Sequence, residues 1–497
     1  MSEPAHRPDF YICESVARID SATNVKDLMS DHSNHGSSGA YEAGSLSLAG
    51  AVAMGTGVMI GAGIFALTGQ LAQLAGPLFP LAFVCAAVVS AFSAYSYILL
   101  ASAYPSAGGI GMFLKKAYGR SVMTGGLALL MVLSMIINES LVARTFGTYV
   151  VQAVDAPTNP LWVPVLGVSL IAVVFAINVA TNAVISRIAV FSALLKVSGV
   201  LVFALVALWF AGFSFRPLGA ETDFGLGAGG VEGFIAAVAL GILAYKGFTT
   251  ITNSGSELKN PEKNIGRAII ISLAICLIVY LLVSWAVGST LSIEQIAKAR
   301  DYALAEASRP ALGQYGVWFT IAVAIVATSS GLLASVFAVS RMLAMLTKME
   351  LIPHRHLGMT GHLQTHMLVY TCVAAALLAA FFDLSRIAAL GAIFYLLMDI
   401  GVHWGLLRHL RSEVHAKPAI LITAIVLDAL LLGVFLWVKV RQEPMILGWA
   451  TGGVAAIFLL EWQFLRVHRF SDGKDPNYRS PAQSEGGDDD SPHGPDA

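Results

Sequence analysis

The feature that most constrains this chain is a succession of apolar stretches, each long enough to cross a lipid bilayer as a helix, which takes roughly 20 residues. Twelve of them run at roughly 46–74, 77–103, 121–153, 160–180, 184–213, 231–258, 266–291, 314–347, 366–382, 386–410, 418–440 and 444–467. Lipid offers no partner for backbone N–H and C=O groups, so each stretch must satisfy them within itself. The expected fold class is therefore all-α, a polytopic membrane protein. Composition agrees: 56% of the residues are hydrophobic and 12% charged, against about 25% charged in soluble domains. The net charge of −1 gives no bulk pull towards nucleic acid.

Domain limits follow from the same pattern. Residues 1–45 are polar, lack an early apolar leader core, and read as a flexible tail. Residues 46–213 hold the first five spans and 214–410 the second five, 411–470 carry the last two, and 471–497 form an acidic tail with Asp488-Asp489-Asp490. Placing the N-terminus inside assigns 15 lysines and arginines to the inner loops and 7 to the outer ones. Both termini are thus expected to be cytoplasmic, in a multi-pass protein of the cell membrane. Segment 292–309 reads as a short outer surface helix, and 104–119 as an inner loop with an amphipathic helix. Of the four cysteines, Cys85, Cys276 and Cys372 lie in apolar stretches and Cys13 in the tail, so neither a disulfide framework nor a thiolate metal site is implied.

Two spans carry interruptions. The first reads Gly55-Thr56-Gly57-Val58-Met59-Ile60-Gly61-Ala62-Gly63-Ile64-Phe65. Glycines at this density permit close helix packing or local unwinding, and taken alone the stretch allows both. The sixth span turns from apolar to polar after Gly247, through Thr249-Thr250-Ile251-Thr252-Asn253 to Glu257. That half must face protein or water. These spans open the two sets of five, about 185 residues apart. Paired interruptions of this kind point to the binding site of an inverted-repeat transporter, and they favour unwinding in both spans.

Free N–H groups at one half-helix attract a carboxylate, and free C=O groups at the other attract an ammonium. An amino acid carries both. Donors are expected from Gly61, Ala62, Gly63 and Ile64, and acceptors from Met59, Ile60, Leu243, Ala244, Tyr245 and Lys246, with Tyr245 and Phe248 covering the substrate side chain.

Together these stretches resemble the amino acid–polyamine–organocation transporter superfamily, in particular its bacterial amino acid permeases. Met59-Ile60-Gly61-Ala62-Gly63-Ile64-Phe65 resembles the family's first-span signature. Ala244-Tyr245 with Gly247-Phe248, Glu257-Leu258-Lys259-Asn260-Pro261 and Asn264-Ile265-Gly266-Arg267 resemble its sixth span and the loop beyond, and Ser340-Arg341 with Ile352-Pro353 the end of its eighth. The likeness runs from about residue 46 to 410 and more loosely to the end of the spans. It implies a LeuT-like five-plus-five inverted repeat with two further helices, and alternating access by rocking of spans 1, 2, 6 and 7. It also implies that Lys196 stands where sodium-coupled relatives hold their ion. Two positions depart from the family pattern: Lys246 stands at a usually apolar position, and Thr249 at one often acidic or small.

Charge at membrane depth costs at least ~2.5 kcal/mol, so each instance asks for a reason. Lys196 is read as the ion-coupling residue, exchanging protons. Glu139 and Arg144, five apart in span 3, are expected to pair with other helices, Glu139 with Lys246 or with a basic substrate. Asp399 and His403, four apart in span 10, share a face as a polar pair or a gating element. His354, His356, His362 and His366 read as a solvated loop, with no metal expected. No phosphate-cradling motif, nucleophile elbow or His-Glu-x-x-His pair occurs. The expected function is therefore not enzymatic and needs no cofactor. It is secondary transport of an amino acid or amine, by proton symport or else by exchange. From another class, a channel or a membrane sensor is the rival.

Overall fold

In a computed structural model, the described residues are 44–106, 108–153, 159–180, 182–214, 229–349, 351 and 363–472. They fold as helices and turns, and the one backbone bridge among them pairs Leu46 with Leu258. The two tails and the histidines 354, 356 and 362 lie outside this range.

The helices are α1 (Leu48–Ala75), α2 (Phe79–Ala103), α3 (Ile110–Tyr118), α4 (Val122–Ala153), α5 (Trp162–Ala180), α6 (Asn182–Phe210), α7 (Gly230–Tyr245) and α8 (Phe248–Asn253). They continue with α9 (Pro261–Thr290), α10 (Ile293–Lys298), α11 (Ala303–Lys348), α12 (Leu363–Phe381), α13 (Leu384–Gly405), α14 (Pro418–Gln442) and α15 (Pro444–Asp472). Among the described residues, eleven stretches are long and apolar enough to cross a membrane. The first of these, Gly63–Ala103, runs from the second half of α1 through a 3-10 turn into α2. Large apolar side chains stand exposed around the bundle, among them Leu194, Trp209, Phe381 and Leu459. Apolar surface on that scale is stable against lipid and not against water. The chain is an all-α polytopic membrane protein.

Local chemistry accounts for the ends. Ser47 caps α1 through the Gly50 N–H at 3.1 Å, and Asp383 caps α13 through the Arg386 N–H at 2.9 Å. Ser292 and Gln295 close a reciprocal capping box on α10. Proline occupies the first turn of α9 and of α14. The expected surface helix at 292–309 divides between α10 and the first turns of α11. Gly313, at φ 58°, then kinks α11 near Pro310, a backbone angle that favours glycine.

The expected break in the first span is absent. Helix α1 is wound without interruption from Leu48 to Ala75. Its glycines serve the other purpose that such a stretch allows, close approach. A Cβ on Gly63 would lie 2.8 Å from the Ala244 Cα, and one on Gly61 would lie 3.1 Å from the Ala327 carbonyl oxygen. From the other side, a Cβ on Gly247 would come 2.7 Å from Met59. Gly55 meets Ile251 in the same way. The pairs 63–244, 59–247 and 55–251 define an antiparallel crossing of α1 on α7 and α8, with backbones as near as the absent side chains allow.

A substitution pair separates this packing role from simple helix propensity. Gly63→Val forces α1 from Ala244 and Tyr280, whereas Gly433→Ala in α14 meets nothing within 4 Å. The first should lower the thermal unfolding midpoint of detergent-purified protein by several degrees, as overpacking by about 1–3 kcal/mol does. The second should leave it unchanged or raise it.

Candidate functional site

The second expected break is present. Helix α7 ends at Tyr245, Lys246 and Gly247 form a turn, and α8 begins at Phe248. The regular ladder gives way to shorter-range bonds: Lys246 N–H to Leu243 C=O at 3.4 Å, Thr249 N–H to Lys246 C=O at 3.0 Å and Thr250 N–H to Gly247 C=O at 3.2 Å. Dihedrals stay right-handed, φ −59° at Lys246 and −57° at Gly247. The interruption is thus a tightened 3-10 step and not an extended unwound segment. A second step, Gly255–Glu257, follows α8.

A void of about 10 Å³ lies beside this step, lined by Val58 of α1, Met135 and Asn138 of α4, Leu243, Lys246, Gly247, Thr249 and Thr250, and Ser335 of α11. It has room for about one water. Of the expected site residues, Leu243 and Lys246 reach it. Tyr245 turns to α2, its hydroxyl donating to the Phe83 carbonyl at 3.1 Å. Phe248 packs edge-on against Tyr97 of α2 with ring centroids 5.3 Å apart. Met59, Ile60 and Ile64 are buried within the packed crossing, and Gly61, Ala62 and Gly63 lie in the continuous helix α1.

Lys196 and Tyr280 grip the α1 backbone with the shortest of the bonds that side chains of other helices make to it. Lys196 of α6, 3% exposed, donates to the Gly57 carbonyl at 2.7 Å and to Ser330 Oγ of α11 at 3.4 Å. A Cβ at position 57 would lie 3.4 Å from its Nζ, so the glycine leaves room for the ammonium. Tyr280 of α9 places its hydroxyl 2.7 Å from the Met59 carbonyl and 2.8 Å from that of Ala244. Its one hydrogen is shared between α1 and α7. Sequence reasoning missed Tyr280, which looks like any aromatic in an apolar run.

Lys246 has partners other than those expected. Its Nζ donates to the Ser134 carbonyl of α4 at 2.8 Å and to Ser134 Oγ, and lies 5.3 Å from the Tyr395 ring centre. Glu139 forms no ion pair with it. Glu139 is fully buried and accepts from Ser335 Oγ at 3.2 Å. Glu257 pairs with Arg341 at the end of α11. Beside it the Leu46 N–H donates to the Glu257 carbonyl, and the Lys259 N–H to the Leu46 carbonyl, both at 2.9 Å. These bonds tie the start of α1 to the segment after α8 and to α11, and Arg144 donates to the Ala379 carbonyl at 3.1 Å. A cavity of about 600 Å³ has a polar, charged lining that includes Gln70, Glu232, Arg300, Lys439 and Glu443. Leu240 lines this cavity and Leu243, one turn on, lines the small void.

Comparison with known proteins adds an independent line. The family model described as amino acid permease matches residues 46–455. An uncharacterized protein of Methanocaldococcus jannaschii is 31% identical over 395 residues, covering 79% of this chain and 88% of its own. The inner membrane transport protein YbaT of Escherichia coli is 28% identical over 410 residues, 82% of this chain and 94% of its own. The cationic amino acid transporter 3, mitochondrial, of Arabidopsis thaliana is 26% identical over 368 residues, 68% of this chain and 58% of its own. The family match runs unbroken from the first turn of α1 into α15 and takes in the crossing, the 3-10 step and every residue that lines the void, so the chain belongs to the amino acid permease family.

Proposed function

We propose that this protein is a secondary transporter of amino acids or related amines, working by alternating access and driven by protons in symport. The observation that carries the proposal is the 3-10 step at Lys246-Gly247, held against a glycine-rich helix in a chain of the permease family. The twelve-span, five-plus-five inverted repeat belongs to the same reading, as does a cell-membrane location with both termini in the cytoplasm. So does the chain's division at residues 45, 213, 410 and 470.

The small void, with room for about one water, suits a shut conformation. Opening α1 and α7 would uncover the carbonyls of Met59 and Ala244, which Tyr280 now holds. A substrate ammonium offers three donors where the tyrosine offers one, so it competes for the same acceptors. The carboxylate would then meet the Gly61–Ile64 backbone, whose N–H groups become available only if α1 loosens there. Thr249, Thr250, Ser335 and Asn138 stand around the void as further contacts, and Lys246 and Glu139 bring opposite charges to its neighbourhood. The cavity of about 600 Å³ would be the vestibule on the outer side. Lys196 reads as the coupling group because its ammonium bridges α6 to the α1 backbone. Losing the proton would weaken that grip and ease the movement of α1.

Purified protein in liposomes tests the carrier reading. Uptake of a transported amino acid should saturate, be stimulated by the same amino acid on the far side, need no sodium and rise when the outer solution is acidified. A conductance that does not saturate would point to a channel, and exchange without net uptake to an antiporter. Lys196→Met should flatten the pH response while the protein still inserts; an unchanged response rejects the coupling role. Tyr280→Phe keeps the ring and removes the competing hydroxyl, so the half-saturation concentration should fall several-fold. An unaltered value would mean that the Met59 and Ala244 carbonyls take no part in binding.

A further inference from the structure

Away from the void, a second group of buried ionisable side chains joins three helices. Asp399 and His403 lie one turn apart on α13, and Asp428 faces them from α14. All three are at most 1% exposed. The His403 Nε2 stands 3.5 Å from Asp399 Oδ2 and 3.4 Å from Asp428 Oδ2. Both His403 Nε2 and Asp428 Oδ2 lack a hydrogen-bond partner. Among the described residues no lysine or arginine forms an ion pair with either carboxylate, and His403 is the basic side chain set between them, where charge is costly.

We propose that Asp399, His403 and Asp428 form a buried site for a divalent transition-metal ion, with zinc as the type, which ties α14 to α13 against α2. The separations carry the argument. No hydrogen bond joins His403 Nε2 to either carboxylate, and the two separations match the ligand-to-ligand edge of a tetrahedral zinc site, with all three ligand atoms within 4.8 Å of one another. With bonds of about 2.05 Å to nitrogen and oxygen, that edge is about 3.4 Å.

The surrounding contacts fit the same chemistry. His403 Nδ1 is held by Ser96 Oγ at 2.8 Å, which orients the ring and leaves Nε2 for the ion. Asp399 accepts from the Tyr97 hydroxyl on one oxygen and from Ser93 Oγ on the other, both at 2.6 Å. Its Oδ2 keeps a lone pair towards His403. Bonds of this kind orient ligating imidazoles and carboxylates. All three orienting groups come from α2. One imidazole and two carboxylates suit a borderline ion better than a soft one. A dication cancels the two negative charges, so the cluster becomes neutral in the membrane. The three side chains do not line the void beside Lys246, and the proposal does not depend on the transport reading.

The test uses the full chain, purified in detergent from cells grown with added zinc and washed briefly with EDTA to clear exposed histidines. Mass spectrometry of the desalted protein should find one more zinc per chain than in His403→Ala prepared alongside. A second variant keeps the test open if His403→Ala fails to fold. Asp428→Cys, loaded with cobalt, should show a sulfur-to-cobalt charge-transfer band in the near ultraviolet that the wild type lacks. Equal zinc in wild type and His403→Ala overturns the site, as does a folded Asp428→Cys protein without the band. Either result would mean that protons, and not a metal ion, keep the cluster neutral.

Discussion

The structure rests on the crossing of α1 with α7 and α8. Along it Gly63 and Gly247 hold two backbones closer than a Cβ permits, and Gly55 makes room for the Ile251 side chain. In lipid, helices gain nothing by hiding apolar surface from water, because the tails around them are as apolar as leucine. Close van der Waals packing and hydrogen bonds between helices supply the cohesion instead. At this crossing both act together. The glycines bring carbonyls of α1 within reach of neighbouring side chains, and Lys196 and Tyr280 bind those of Gly57 and Met59. The surface that packs the core is also the one that presents polar backbone at membrane depth.

This double use explains what was legible in the sequence. Span positions follow from apolar length alone, and the helices begin and end within a few residues of the expected limits, apart from the joined start of α11. The step at Lys246-Gly247 was legible because composition changes there, and lipid cannot solvate Thr249, Thr250 and Asn253. The first span misled because glycine density signals close approach and unwinding alike. Only the residues facing each glycine separate the two, and Ala244, Ala327 and Met59 lie far away in the chain or on another helix. Tyr280 was hidden for a similar reason. Its role depends on two carbonyls, 221 and 36 residues away, and nothing local marks it.

Asp399 and His403 show the limit of reading one helix face at a time. Their spacing marks them as neighbours, but it says nothing about Asp428, which reaches them from the next helix, or about Ser93, Ser96 and Tyr97 from α2. A single aspartate in an apolar run is only an expense until its partners are known. Lys246 makes the converse point. Its charge suggested an acidic partner, yet Ser134 receives it, because backbone and hydroxyl oxygens can satisfy an ammonium as well as a carboxylate can.

The distribution of buried charge then bears on which parts of the molecule can move. Lys196 and Tyr280 fasten α1 through its backbone carbonyls, and the bonds of Tyr280, made by a neutral hydroxyl, can be exchanged for another donor without leaving a charge bare. The cluster of Asp399, His403 and Asp428 is different. Separating α14 from α13 would leave the Asp428 carboxyl without His403 at membrane depth, at a cost of several kcal/mol where it is charged. Exchangeable hydrogen bonds lie where α1 meets α7 and α9, and the costly charges lie where α13 meets α14 and α2. A rocking motion built on this chain is therefore easiest at the glycine crossing and hardest at the junction of α13 with α14. That division follows from the physics of each contact, without appeal to the behaviour of any relative.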